Sequence, residues 1–371
     1  MTTSEYKEVI FISDVHFGVK NGMLEWVDNM RNYFENFFIP LCVEEKKKRN
    51  KPCVVVAGDY FDNRTTIDIN VLNTAVDVME KIAAICDVYV VIGNHDIYKS
   101  NERTIASLRV IKMIKNVHVV DDTYVLNVNG KTFFLVSWIG NMTEENKLIA
   151  KHNTEYDFFV FHTELSGMTY DNNRPIVNGL NVDISDDTCR ILSGHIHKRQ
   201  ESKKALYFGS PYALDRKDIG NIKGIYIFKV ADDGTVNRFF KENDYSPKFL
   251  NVKFADIGRK PDDWKDIISN NYVDIVMTSE EISKVNVANF VEELMIYSPK
   301  NIQIIEQKEV IECEVDVDFA KDVKESKSMD VAIINMFDRQ VSKTTIDDVD
   351  KDKLMKINVD YLKRAEEELN G

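Results

Sequence analysis

Histidine and carboxylate residues recur in five short groups, each placed after a run rich in β-branched or aromatic residues. In two groups the polar residues stand two positions apart, so an extended chain points both side chains to the same side, where they can grip one ion. Oxygen and imidazole donors without thiolate suit manganese, iron or zinc in open, water-bearing sites. The groups are "SDVHFG" (Asp14, His16), "AGDYFD" (Asp59, Asp62), "IGNHD" (Asn94, His95, Asp96), "FHTELSG" (His162) and "SGHIHK" (His195, His197).

The number of these residues predicts two metal ions. A lone histidine on a strand is more often a structural residue than a ligand, but only His118 and His152 lie outside the five groups. Chance would scatter such groups over both ends of the strands and into helices. Six or seven ligands exceed what one catalytic ion needs. We therefore expect two ions bridged by a carboxylate, with Asp59 as the bridge because its strand lies between the two ligand sets.

The elements that must position these groups are strands alternating with helices from Val9 to about Lys241. Between the second and third strands, Ile69, Leu72 and Val76 begin a series of apolar residues at helical spacing. Such strand–helix–strand units predict a mixed or parallel sheet covered by helices, with ligands at the carboxyl ends of the strands. The predicted strands are "EVIFIS", "CVVVAG", "VYVVIG", "KTFFLVSW", "YDFFVFH", "CRILSG", "ALYFGS" and "GIYIFKV".

The remainder of the chain predicts a smaller module and a tail. Strand-like and helical segments after Ser246-Pro247 indicate a small α/β cap, and a charged stretch poor in large apolar residues suits a linker. Two amphipathic helices follow, too short to bury both faces alone, so we expect them to dock on a partner or pack back on their own domain. The predicted boundaries are 1–245 for the main domain, 246–312 for the cap, 313–327 for the linker and 328–371 for the helical segment.

Composition favours a globular protein of a reducing, cytosolic setting. The chain has 371 residues and five cysteines without a C-x-x-C pair, and its start predicts no signal peptide. No apolar run is long enough to span a bilayer, so no membrane partner is expected. A net charge of −13 alone argues against nucleic acid, but residues 306–371 hold eighteen acidic and eleven basic residues. Basic residues follow the last histidine and could contact phosphate: Lys198, Arg199, Lys203 and Lys204.

Taken in order, D-x-H, G-D-x-x-D, G-N-H-D, a mid-chain histidine and G-H-x-H resemble the calcineurin-like metallophosphoesterase superfamily. Within it the chain is most similar to the SbcD and meiotic-recombination-eleven nuclease family, above all the recombination endonuclease subunits of T-even phages, because "HTELSG", "NGLNVD" and "YFGSP" also match. A departure is Phe161, where the family usually has glycine. The resemblance implies an α/β fold: a sandwich of two mixed β-sheets flanked by helices, with a small α/β capping domain and a C-terminal helical hairpin.

The resemblance also implies a role for each candidate residue. His95 would be free of metal and face the scissile phosphate, where an imidazole can protonate or stabilise the leaving alkoxide. Asp96 or Asp62 would orient imidazoles as a carboxylate behind the ligands, and for Asp96 a turn-capping role is an equal alternative. The first metal would be held by Asp14, His16, Asp59 and His197, and the second by Asp59, Asn94, His162 and His195.

The activity implied is that of a manganese-dependent double-strand 3′–5′ exonuclease and single-strand endonuclease, in which two Mn²⁺ ions, or other divalent metals, activate a hydroxide. The family acts in DNA recombination and double-strand-break repair with a coiled-coil SMC-type ATPase, which would bind 328–371, in the host-cell cytoplasm if phage-encoded. It forms homodimers through helices, here expected at 66–84 and 102–115, whose apolar stripes could equally be core.

The alternative is a phosphoprotein phosphatase or small-molecule phosphodiesterase on the same two-metal core. Asn63 and Arg64 after "GDYFD" are similar to protein phosphatases, but those enzymes lack the cap and hairpin and carry G-N-H-E rather than G-N-H-D.

Overall fold

Two six-stranded β-sheets packed face to face form the body of the chain. The structure, a computed structural model, describes residues 6–48, 50–99, 102–182 and 189–307, without the side chains of 102–105. The described residues up to Glu306 belong to one unit of the chain. The expectation of two mixed sheets flanked by helices is confirmed.

The first sheet has the strand order β14-β13-β1-β2-β3-β6. Strands β1, β2, β3 and β6 are parallel to one another, β13 is antiparallel to β1, and β14 is antiparallel to β13. Its four parallel strands end at the same edge, which brings the loops after β1, β2 and β3 together. The strands are β1 (Glu8–Ile12), β2 (Pro52–Ala57), β3 (Val88–Val91), β6 (Val117–Val120), β13 (Gly224–Val230) and β14 (Val236–Glu242). A separate two-stranded ribbon is formed by β4 (Ile97–Lys99) and β5 (Glu102–Ala106).

The second sheet has the order β11-β12-β10-β9-β8-β7, in which β8, β9, β10 and β12 are parallel and the two edge strands antiparallel. As in the first sheet, neighbouring parallel strands place their carboxyl ends side by side, here those of β9 and β10. The strands are β7 (Thr123–Val128), β8 (Lys131–Val136), β9 (Phe158–His162), β10 (Ile191–Gly194), β11 (Gln200–Glu201) and β12 (Ala205–Tyr207).

Burial on both faces explains the nearly continuous apolar runs of the central strands. Along β1, Val9 and Phe11 pack into the core between the sheets, while Ile10 and Ile12 pack against the helical layer. That layer contains α1 (Leu24–Tyr33), a π-helical segment (Phe34–Phe38), α2 (Ile39–Lys47) and α3 (Ile69–Ala83), and α4 (Met142–His152) covers the second sheet.

The prediction of a helix at 102–115 is wrong. Residues 102–106 pair with β4 as strand β5, and a 3-10 turn (Ser107–Val110) follows. The apolar side chains of Leu108 and Ile111 are fully buried in the core beneath the first sheet, so their spacing reflects core packing rather than a regular helix. The other expected dimer helix, 66–84, corresponds to α3, whose first turn is capped by the Asp68 side chain. Whether α3 meets a second copy stays a prediction.

A third, parallel sheet of three strands carries the segment expected as the cap. Its own core gathers around Trp264, Val273 and Phe290. Its elements are β15 (Phe249–Lys253), α5 (Phe254–Ile257), α6 (Lys265–Ile268), β16 (Tyr272–Met277), α7 (Ser279–Lys284), α8 (Val287–Met295) and β17 (Asn301–Glu306). The domain boundaries stay predictions, and the linker 313–327 and helical segment 328–371 lie outside the described residues. Among the described helices none is long and apolar enough to cross a membrane.

Candidate metal centre

The five groups of polar residues lie at the carboxyl ends of five strands from both sheets. Asp14 and His16 follow β1, and the chain there bonds to the turn after β2, with Asp14 N–H donating to the Gly58 carbonyl at 3.1 Å. His16 N–H donates to the Asp59 carbonyl at 3.0 Å. Groups distant in sequence are thereby joined at one edge, as parallel strands require.

The backbone at this edge adopts conformations that most residues avoid. Four candidate ligands have positive φ angles: 52° at Asp14, His16 and Asp59, and 86° at His195. Aspartate and histidine tolerate this region better than most residues, and such strained residues cluster at functional sites.

The first cluster joins Asp14, His16 and His197, whose potential ligand atoms lie within 4.8 Å of one another. Nε2 of His16 lies 3.0 Å from Nε2 of His197. Two imidazoles that turn ring nitrogens toward the same point have the arrangement of ligands to a shared cation. All three side chains are buried or nearly so, which leaves the nitrogens little access to bulk water.

The second cluster joins Asp59, His162 and His195 within the same limit. Oδ1 of Asn94 lies 3.1 Å from His162 Nε2 and 3.0 Å from His195 Nδ1, so the amide belongs to this cluster. His162 donates its Nδ1 proton to the Ala57 carbonyl at 2.8 Å, because a carbonyl can only accept. Since Nδ1 keeps its proton in this bond, Nε2 is the nitrogen that a metal would bind, in place of the Nε2 proton.

Asp59 stands between the two clusters. Its Oδ2 lies 3.1 Å from His162 Nε2 and 3.7 Å from His16 Nε2. Glycine is required beside it: a Cβ on Gly93 would lie 2.1 Å from Asp59 Oδ1, and one on Gly58 would lie 2.1 Å from His162 Nδ1. The position suits a bridging carboxylate, and the oxygen and nitrogen donor set fits two divalent ions. The ligand assignments themselves stay predictions.

His95 is half-buried at the mouth of the clusters and is tied down on both sides. Its backbone N–H donates to Asp59 Oδ1 at 2.8 Å, and its Nδ1 donates to the Asp62 carbonyl at 2.7 Å. The Nε2 atom is therefore the ring nitrogen available to a substrate. The Asp62 carboxylate lies 3.1 Å from His16 Nδ1, where it can orient that imidazole.

Asp96 has a different environment from the other carboxylates. Its buried side chain accepts from Phe61 N–H at 3.0 Å and from Gly93 N–H at 2.9 Å. These bonds brace the turns after β2 and β3, as in the turn-capping alternative. Burial, and next the negative charge of Asp59, raise the pKa of Asp96 to about 7.

The electrostatics among the side chains of the two clusters favour charged pairs. Burial would lower the pKa of His162, but Asp59 outweighs it and raises the pKa to about 9. Burial would conversely raise the pKa of Asp59, but His162 and His16 hold it far below the usual range. The pKa of His197 is well below its usual value because of burial and then the proximity of His16. An anionic Asp59 and a neutral His197 are the protonation states that a cation needs.

Glu164 is a site residue that the sequence analysis did not single out. Its Oε1 lies 3.8 Å from His195 Nε2, and its Oε2 accepts from the Tyr170 hydroxyl at 2.9 Å. The ring of Trp138 lies 5.5 Å from that of His195 on another side. Glu164 stands two residues after His162, the same spacing as in the D-x-H group, and this was the signal available in the sequence.

Three of the four basic residues expected near the cleft lie elsewhere or are engaged with other groups. Lys203 and Lys204 precede β12, level with the start of β10, because β11 carries the chain back to the opposite end of the sheet. Arg199 packs its guanidinium 4.4 Å from the centre of the Phe240 ring. Only Lys198 stays beside the site, adjacent to His197.

A sandwich of two mixed sheets whose strand ends gather carboxylates, an amide and imidazoles around a shared point defines a metal-dependent phosphoester hydrolase. The chain belongs to the calcineurin-like phosphoesterase family, whose model matches residues 7–199. That family uses a dinuclear metal site, and the clusters described above provide the candidate residues.

Several proteins are similar to this chain. Exonuclease subunit 1 of Enterobacteria phage T4 is 27% identical over 233 residues, which are 62% of this chain and 66%, just under two thirds, of the phage protein. Protein 244L of Invertebrate iridescent virus 6 is 25% identical over 67% of this chain and 86% of its own length. Among solved structures, the 5'-nucleotidase precursor of Thermus thermophilus is 10% identical, with a TM-score of 0.33 over 64% of this chain and 53% of that one.

Proposed function

We propose that the chain is a metal-dependent DNA nuclease subunit, a double-strand 3′–5′ exonuclease and single-strand endonuclease that acts with an SMC-type coiled-coil ATPase in DNA recombination and double-strand-break repair. The observation that carries the proposal is the similarity to Exonuclease subunit 1 of phage T4, in a chain whose candidate ligands lie together at strand ends of both sheets.

The reaction that fits this edge is phosphodiester hydrolysis. Two divalent ions, for which we propose Mn²⁺, would supply a water nucleophile of lowered pKa and neutralise the phosphate charge. The proposed ligands are Asp14, His16, Asp59, Asn94, His162, His195 and His197.

His95 is the residue proposed to act on the leaving group. Its Nδ1 is bonded to the Asp62 carbonyl, so only Nε2 can exchange a proton with the substrate. A protonated ring would present Nε2–H to the departing sugar oxygen, and the Asp62 bond would keep the ring from rotating away.

The cap supports a polymeric substrate. It is joined to the main domain through α1, where Tyr272 stacks on Trp26 at 5.6 Å and donates to Glu25 Oε1 at 2.7 Å. Because α1 follows directly in the chain after the loop that carries His16, the cap packs on an element connected to the site. We propose that it holds duplex DNA there, with the exposed Arg64 near Asp62 among the phosphate contacts.

A substrate panel tests the proposal. Purified full-length protein with Mn²⁺ is offered end-labelled duplex DNA, single-stranded DNA, a phosphopeptide and a small phosphodiester, with Asp59→Asn as the inactive control. We expect DNA cleavage that Asp59→Asn abolishes. Cleavage of the phosphopeptide alone would overturn the nuclease proposal in favour of the phosphatase alternative.

The partner proposal needs its own experiment, because 328–371 lie outside the described residues. Co-purification with the cognate SMC-type ATPase should be lost when 328–371 are deleted and kept in the cap variant Tyr272→Phe. Unchanged co-purification of the deletion variant refutes the docking role.

A further inference from the structure

A buried lysine contacts the backbone of His197, a residue of the first cluster. Lys223 is 7% exposed, and its Nζ has three contacts: it donates to the His197 carbonyl at 2.8 Å and to Ser210 Oγ at 2.8 Å, and it contacts Asp218 Oδ1. The three protons of the ammonium group are thereby all engaged. None of these contacts belongs to the reaction described above.

The contact with His197 fixes a peptide rather than a side chain. The His197 carbonyl accepts from Lys223 Nζ and also from Ser210 N–H at 3.0 Å. A Cβ on Gly209 would lie 2.9 Å from the same oxygen, so the backbone around it is closely packed. With its carbonyl held twice, His197 has little freedom to move its imidazole away from Nε2 of His16, 3.0 Å distant.

The counter-ion of the lysine sits in a turn that also reaches the cap. Asp218 ends a 3-10 turn (Arg216–Asp218), is 5% exposed, and accepts from Leu214 N–H at 2.8 Å. At the start of the same turn, Arg216 Nε donates to both carboxylate oxygens of Asp274 at 2.9 and 3.0 Å. Asp274 lies on β16, the central strand of the cap sheet.

The cap is therefore linked to a candidate metal ligand through two ion pairs, Arg216–Asp274 and Lys223–Asp218, which the backbone of the 216–218 turn joins. Burying a lysine–aspartate pair is unfavourable unless both groups are fully bonded, and an apolar pair of similar size often serves stability as well. Outer contacts that orient metal ligands commonly change metal affinity when removed. The His197 carbonyl is the contact in this series that belongs to the metal site.

We propose that Lys223 is a positioning residue for the metal position of His16 and His197, and that the 216–218 turn links this position to the seating of the cap. The inference rests on the proposed two-ion site and adds to it a dependence of one ion, but not of the other, on the cap contact. The second cluster, built from Asp59, His162 and His195, has no contact with Lys223 among the described residues.

The test measures metal binding to the full-length, metal-free protein without DNA. Mn²⁺ is titrated by calorimetry, and free Mn²⁺ is followed by electron paramagnetic resonance, in wild type and in Lys223→Met combined with Asp218→Asn, which removes both charges of the pair. Lys217→Met, an exposed lysine of the same turn, is the matched control. We expect one of two Mn²⁺ sites to weaken by about 10- to 100-fold in the double variant and neither to change in the control.

The cap link is tested by Arg216→Met, an exposed position that leaves the core intact. We expect the same single site to weaken, by less than in the double variant. Equal weakening of both sites, or no weakening in a folded double variant, overturns the positioning role. If the double variant does not fold, Arg216→Met decides: unchanged Mn²⁺ binding overturns the inference.

Failure of the proposed function gives a different result. A protein that binds two Mn²⁺ ions but cleaves only a phosphopeptide refutes the nuclease and leaves the Lys223 measurement standing. A wild-type chain that binds fewer than two ions refutes the two-ion premise itself.

Discussion

Replacing His95 by alanine separates metal binding from chemistry. The backbone N–H of residue 95 donates to Asp59 Oδ1 at 2.8 Å, and alanine keeps this bond. The side chain loses its bond to the carbonyl of Asp62, a half-buried residue. His95 also lies with His16 and Asp62 in a group whose potential ligand atoms are within 4.8 Å of one another, but none of the seven proposed ligands is removed by the substitution. We therefore expect the variant to bind two ions as tightly as wild type.

The expected loss is in the cleavage step. General acid catalysis by a positioned side chain contributes about 10²- to 10⁴-fold, or roughly 3–5 kcal/mol of transition-state stabilisation. Because Nδ1 is bonded to the Asp62 carbonyl, Nε2 is the ring nitrogen proposed to act on the leaving group, and alanine removes it. A small phosphodiester whose leaving group departs as a stable anion needs no proton, and there the loss should be about tenfold or less.

The assay is single-turnover cleavage of end-labelled duplex DNA with saturating Mn²⁺, run beside the activated diester and a Mn²⁺ titration. His118→Ala is the matched control, because His118 is half-exposed on β6 and lies outside the candidate groups. Near-normal DNA cleavage with both ions bound refutes the role of His95. Equal losses on DNA and on the activated diester refute its action on the leaving group.

Two further predictions concern packing and charge. Gly93→Ala should abolish Mn²⁺ binding at the shared carboxylate and lower the melting temperature, because the new Cβ would lie 2.1 Å from Asp59 Oδ1 and 2.3 Å from its backbone nitrogen; wild-type binding by calorimetry would contradict the close approach. Burial raises the pKa of Glu8 to about 7 despite the ion pair with Lys229, so the folded state loses stability as pH rises from the unfolded value through about 7. Between pH 5 and pH 8, the free energy of unfolding of Glu8→Gln, measured by urea denaturation, should rise relative to wild type by up to about 3 kcal/mol. The neighbouring Glu45 does not titrate in this window, because its pKa is lowered to about 2. Parallel pH profiles of the two proteins would contradict this.

The strands that carry the candidate site were predictable because their residues obey two local rules at once. A run such as "CVVVAG" is apolar on both faces, as a central parallel strand must be, and it ends in a glycine turn with Asp59. Helix α3 was equally predictable from its apolar spacing and the Asp68 cap. These features depend on residues that are close in sequence, so they can be predicted from one amino-acid sequence.

The errors arose where distant contacts override local pattern. Residues 102–106 form a strand because β4 is available to pair with them, which their own spacing does not reveal. Lys203 lies away from the predicted cleft because β11 carries the chain back toward the other end of the sheet. The contact of Lys223 with His197 joins residues 26 positions apart through a side chain and a carbonyl, and no periodicity marks it.

The left-handed backbone at Asp14, His16, Asp59 and His195 has a consequence for how this site can change during evolution. Two requirements favour aspartate and histidine at these positions: they can donate electron pairs to a metal, and they tolerate a positive φ angle. Glutamate or cysteine could coordinate a metal equally well, but would add a conformational penalty of about 1–3 kcal/mol at each position. Drift toward thiolate ligation is therefore opposed by the main chain, so the preference for oxygen and imidazole donors is inherited with the fold itself.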